Sequence, residues 1–90
     1  MALTIRYSQI AAAIITRLPG IDQRIIRKVV RELAKEPGAL ERHPHGVVVE
    51  EAPDGMRLHV FVIGDWKLII VIDEGDLVVF DVRPWDSGPI

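Results

Sequence analysis

The sequence predicts an α+β domain in which a two-helix hairpin packs on one face of an antiparallel sheet of four to five strands. Three observations carry this. The stretch from Arg57 to Arg83, RLHVFVIGDWKLIIVIDEGDLVVFDVR, is dominated by β-branched and aromatic residues and is broken only at Gly64-Asp65 and Glu74-Gly75-Asp76. Upstream of it, two blocks of apolar residues recur at helical spacing on either side of Pro19-Gly20. Ahead of both, LTIRY alternates apolar and polar with a period of two.

Taken in order, Leu3–Tyr7 forms a short outer strand, and Ser8 caps a helix from Gln9 to Leu18 whose stripe is Ile10, Ile14, Ile15 and Leu18. Pro19-Gly20 ends it. Asp22 is the N-cap expected for a second helix reaching about Glu36, with Ile21 stapling to Ile25 or Ile26 and with Ile25, Ile26, Val29, Val30, Leu33 and Ala34 buried. Pro37-Gly38 stops that helix, and residues 37–46 make an irregular connection. Val47–Glu51 is a strand, Pro53-Asp54-Gly55 a turn, and the three-strand block follows. The tail Pro84–Ile90 is expected to be loosely held, and residues 1–90 to be one domain.

Turn length fixes the faces of the sheet. A two-residue loop at Gly64-Asp65 sets Ile63 opposite Trp66. It sends Arg57, His59, Phe61, Ile63, Trp66, Leu68, Ile70 and Ile72 to one face, and Leu58, Val60, Val62, Lys67, Ile69, Val71 and Asp73 to the other. A three-residue loop at 74–76 then places Val78, Phe80 and Val82 with Trp66, and Leu77, Val79, Asp81 and Arg83 with Lys67. The helices cover the Trp66 face. The second face is expected to be an open apolar patch of Leu58, Val60, Val62, Ile69, Val71, Leu77 and Val79, which calls for a partner or a second copy of the chain.

Composition narrows the function classes. Ninety residues at 49% hydrophobic content sustain one modest core. With no cysteine, disulfides, thiolate zinc sites and cysteine nucleophiles are excluded, and a cytoplasmic setting is expected. No signal peptide or membrane partner is expected. The net charge of −2 conceals an asymmetry: residues 1–45 carry eight Lys/Arg against four Asp/Glu, and residues 46–90 three against nine. A net acidic chain argues against tight nonspecific binding of nucleic acid.

The element order, together with LTIRYS before a helix ending in LPG, VRELAKEPGAL at the end of the second helix, and VFVIGDWKLIIVIDEGDLVVFDV, resembles the RelE/ParE toxin superfamily over nearly the whole chain. The resemblance implies the toxin of a type II toxin–antitoxin module, with a cognate antitoxin as partner in a hetero-oligomer, and with either the ribosome and its mRNA or DNA gyrase as target. Lys67 stands where the family usually has Arg after the Gly-Asp-aromatic motif. Val60 and Val62 replace basic residues common in the ribosome-dependent nucleases. Arg83 and Trp85 stand near the family's terminal basic residue and Tyr, out of strict register.

Cleavage of RNA through its 2′-hydroxyl needs a base, cations for the charge growing on phosphate, and an acid for the leaving group. Lys67 and Arg83 face one another across the ladder with Asp81 diagonal, so the pair suits a phosphate or makes an ordinary surface cluster. His43 and His45 in the connecting loop are the candidate proton carriers, so any enzymatic activity is expected to be that of a metal-independent endoribonuclease (mRNA interferase), without cofactor. His59 is placed at the core edge. Arg24, Arg27, Lys28, Arg31 and Lys35 form a basic stripe along the second helix, suited to an acidic or ribosomal partner, or to solvent with Glu32 and Glu36 as partners. The apolar Val60 and Val62 and the acidic sheet half favour gyrase-type protein binding. The alternatives are RelE-type mRNA cleavage and a non-toxic interaction module.

Overall fold

The computed structural model describes residues 2–36, 47–51 and 57–86, and for 47–51 and 57 the backbone alone. Chain order is β1 (Thr4–Tyr7), α1 (Gln9–Thr16), α2 (Gly20–Lys35), β2 (Val47–Glu51), β3 (Arg57–Ile63), β4 (Trp66–Asp73) and β5 (Asp76–Pro84). The five strands form one sheet in the order β1-β5-β4-β3-β2, with β1 parallel to β5 and every other pairing antiparallel. The α+β architecture expected from the sequence is present. The parallel edge strand makes the sheet mixed, because a helix hairpin between β1 and the later strands returns the chain to the same end.

Ser8 opens α1 as its cap: its hydroxyl oxygen accepts from the Ala11 amide at 3.0 Å. Expected to reach Leu18, α1 ends at Thr16; its buried residues are Ala11 and Ile15, Leu18 is buried in the turn that follows, and Ile10 is exposed. The small Ala11, at i and i+4 with Ile15, is what lets this short helix sit close on the sheet. The second helix starts two residues before the expected cap. Pro19 precedes its first turn without a side-chain cap, so Asp22 lies within that turn, where a carboxylate complements the helix dipole. Its Oδ2 accepts instead from the Trp66 indole N–H at 3.3 Å, fastening the start of α2 to β4. Ile21 is exposed and staples nothing. Gln23 closes the interhelical loop by donating to the Leu18 carbonyl at 2.8 Å.

One core lies between the hairpin and the sheet. Ile26, Val29, Val30, Leu33 and Ala34 from α2 meet Phe61, Ile63, Leu68, Ile70, Leu77, Val79 and Val82 from the strands. Burial of each large side chain contributes about 1.5–3 kcal/mol. His59 is buried opposite Ile70, on this helix-covered side as expected.

The β3–β4 register is the expected one, Ile63 opposite Trp66, and the positive φ of 58° at Gly64 meets the demand of a II′ turn at its first central position. The β4–β5 turn differs. Asp73 pairs with Asp76, so the loop has two residues, Glu74 at φ 46° and Gly75 at φ 84°. Two successive positive φ values are the I′ signature. Shortening the loop by one residue reverses the faces at the start of β5: Leu77 and Val79 enter the core, fully buried, and Val78 goes to the far side. A bulge then inserts Phe80 between the Ile70–Val79 and Ile69–Asp81 pairs, so that Val82 and Arg83 regain the expected faces. Pro84 still belongs to β5, and the Trp85 amide donates to the Asp65 carbonyl at 3.0 Å, so this part of the tail is fixed to the ladder.

Two outcomes follow from these local features. Glu74 is an L-residue held in the left-handed region, where Asn is better tolerated, so Glu74→Asn is expected to raise unfolding stability by about 0.5–1 kcal/mol in a urea titration. Tyr7, the chain's one tyrosine, has its pKa raised, first by burial and against the lowering effect of Arg27 and Arg31. A folded pKa above the unfolded value means that this group's contribution is complete below about pH 10 and is lost as pH rises through the folded pKa. Ultraviolet titration of the folded chain is expected to give a midpoint above that of the urea-unfolded chain. Arg27→Ala, which removes a cation 5.8 Å from the ring centroid, is expected to raise it further.

Candidate functional site

On the sheet face away from the helices, β4 and β5 bring together two cations from residues 16 apart in sequence: Lys67 stands directly opposite Arg83. Asp81, one alternation back along β5, accepts from Arg83 Nε at 2.7 Å through Oδ2, while its Oδ1 takes the Val82 amide at 2.8 Å. The carboxylate is therefore held at both oxygens and fixes the guanidinium by its Nε edge. The terminal amino groups of Arg83 make no hydrogen bond to the described residues and remain able to meet a bidentate anion. Lys67 is only 8% exposed, so its aliphatic stem is packed and the position of its ammonium is restricted.

The expected open patch is not what the structure has. Val60, Ile69 and Val71 lie on this face yet are 5%, 2% and 6% exposed, buried within the chain and outside the helix-side core cluster. Leu77 and Val79 are in the helix-side core for the register reason given above, and Leu58 is half-buried. Of the seven expected residues, Val62 alone is exposed to solvent. Among the described residues the other large apolar side chains that reach solvent are Ile10, Ile21, Ile25, Phe80 and Trp85.

His43 and His45 lie outside the described residues, and beside the cation pair the described acid–base group is the Asp81 carboxylate, engaged by Arg83. Among the described residues no three His, Asp or Glu side chains converge to hold a metal ion, and no helix is long and apolar enough to cross a membrane.

The basic stripe of α2 is a second cationic surface, on the opposite side of the molecule. Arg24, Arg27, Lys28, Arg31 and Lys35 are all exposed. Glu32 and Glu36 do not serve as their partners: among the described residues the carboxylate pairs are Arg6 with Asp73 and Asp76, and Arg83 with Asp81. Arg27 is instead drawn over the Tyr7 ring. Sequence reasoning missed the hollow beside this stripe, lined by Asp22, Ile25, Ile26, Ile63, Gly64 and Trp66. Its signal was Ile21 and Ile25, one turn apart, which fit the apolar period well enough to be read as core.

No protein-family model matches the chain, and no curated protein sequence matches it significantly. Solved structures do. A chain of the archaeal RelE–RelB complex from Pyrococcus horikoshii OT3 superposes with a TM-score of 0.82 at 17% identity, over 98% of this chain and 100% of that one. A chain of the RelB–RelE antitoxin–toxin complex from Methanococcus jannaschii gives 0.61 at 10% identity, over 91% and 92%. At such identities the likeness speaks for architecture, and the chain has the RelE fold found in these two complexes.

Proposed function

We propose that the chain is the toxin of a type II toxin–antitoxin module, neutralised by a cognate antitoxin, and that it acts in the RelE manner by cleaving mRNA. The observation that carries this reading is the match, over 98% of this chain and 100% of the other, to a chain crystallised in a RelE–RelB complex. The Lys67–Arg83 pair adds chemical support, since two cations with one guanidinium edge open suit a phosphodiester.

The reaction is an internal phosphoryl transfer. The 2′-oxygen attacks the adjacent phosphorus, the bond to the next nucleotide's 5′-oxygen breaks, and a cyclic phosphate and a free 5′-hydroxyl result. Lys67 and Arg83 would hold the non-bridging oxygens as charge grows on them. A base removes the 2′-hydroxyl proton and an acid returns one to the leaving oxygen. His43 and His45 are the chain's candidates for these roles.

Gyrase-directed action, favoured by the sequence on the strength of Val60, Val62 and the acidic sheet half, has lost the Val60 part of that support. Val60 is buried, so its apolar character answers to packing, and a basic side chain there would be paired or costly. None of the comparisons points to gyrase.

Induced expression in a bacterial host tests the reading. Wild type is expected to arrest growth and to produce new mRNA ends by primer extension. Lys67→Met, which retains the packed stem, and Arg83→Gln are each expected to reduce cleavage about 100-fold or more. Asp81→Asn is expected to cause a smaller loss, because it frees the guanidinium without removing it. Arrest without new ends would move the target to a protein, and no arrest would leave a binding module with a toxin's fold.

A further inference from the structure

The N-terminal half of α2 shows an uncommon combination for the outer face of a small domain. Ile21 and Ile25 are 66% and 45% exposed and lie one helical turn apart. Ile25 also lines a shallow hollow together with Asp22, Ile26, Ile63, Gly64 and Trp66. Arg24 and Lys28 flank this apolar strip and Arg31 continues it, none of them with a carboxylate partner among the described residues. Across α2 there are five Lys/Arg against Asp22 and Glu32, in a chain whose net charge is −2, and Asp22 is engaged by the Trp66 indole.

We propose that this surface docks an acidic amphipathic helix of a partner protein, which seats one apolar side chain in the hollow beside Trp66 and sets carboxylates against Arg24, Lys28 and Arg31. Charge complementarity fixes the sign of the partner. The apolar strip fixes its class. A phosphate backbone has nothing to bury against Ile21, Ile25 and the hollow, whereas helix-in-groove recognition uses apolar anchors at one-turn spacing with charges at the rim. That this helix is the antitoxin's rests on the reading proposed above; the chemistry of the surface does not.

Panning the full chain against a displayed library of peptides of about 18 residues, long enough for five helical turns, tests the surface directly. The enriched peptides are expected to be rich in Asp and Glu, with apolar residues three or four apart. A synthetic copy of the most enriched one is expected to shift Trp66 fluorescence to the blue in a Trp85→Phe background. Its affinity is expected to fall about tenfold or more in Ile25→Ser and in the double variant Arg24→Glu with Lys28→Glu, and to weaken with salt. All three positions are exposed, so the fold is retained in these variants. Enriched peptides without acidic residues, unchanged affinity in both variants, or tighter binding of an RNA of about 12 nucleotides lost on the same charge reversal would overturn the proposal. The two readings fail separately. Growth arrest with no such peptide binding removes the docking surface alone, and peptide binding without arrest removes the toxin reading alone.

Discussion

Everything on the functional face depends on one surplus residue in β5. The I′ turn at Glu74-Gly75 sends Leu77 and Val79 into the core, and an unbroken ladder from there would set Val82 opposite Lys67 and turn Arg83 toward the helices. The bulge at Phe80 advances β5 by one residue, which buries Val82 and brings Arg83 across from Lys67. The strand is thus used twice, once in each phase: its first half fills the core and its second half delivers a cation to the opposite face.

The bulge has a specific support. Inserting a residue leaves backbone groups without ladder partners, and the Phe80 carbonyl is met by the Ser8 hydroxyl, which donates to it at 2.6 Å. The same oxygen accepts from the Ala11 amide as the cap of α1, and the Ser8 amide donates to the Val79 carbonyl at 3.0 Å. One short side chain therefore joins the end of β1, the start of α1 and the irregular point of β5. Threonine could reproduce both hydroxyl bonds; alanine would remove the bond to the Phe80 carbonyl and the cap of α1 together.

Much of the fold was legible because the strongest signals are local. The five strands, both helices, the Gly64-Asp65 hairpin and the opposition of Lys67 and Arg83 follow from β-branched runs, helical periodicity and turn chemistry. Lys67 and Arg83 came out right through two departures that cancel, a turn shorter by one residue and a strand longer by one, and only Leu77, Val78, Val79 and Phe80 between them were reversed. A Glu in the left-handed region carries little turn signal compared with Asn or Gly, and a bulge has no composition cue when the extra residue is an aromatic. The exposure of Ile10, Ile21 and Ile25 was equally hidden, since a helix with apolar residues on two flanks reads as deeply buried until tertiary packing chooses one of them.

The two cationic surfaces lie on opposite sides of the sheet, and this bears on how binding at one could affect the other. Lys67 and Arg83 sit beyond the layer formed by Leu68 and Val82, with the helices on the other side of it. A helix seated on Ile21 and Ile25 therefore does not plug the cation pair. It occupies the outer face of α2, adds bulk and negative charge there, and so opposes the approach of a large polyanionic target that must reach the whole molecule. Neutralisation through that surface would act on association with the target and leave the pair's own geometry intact. A free small phosphodiester would then still reach Lys67 and Arg83 in the occupied protein, because steric and electrostatic exclusion of this kind grows with the size and charge of what is excluded.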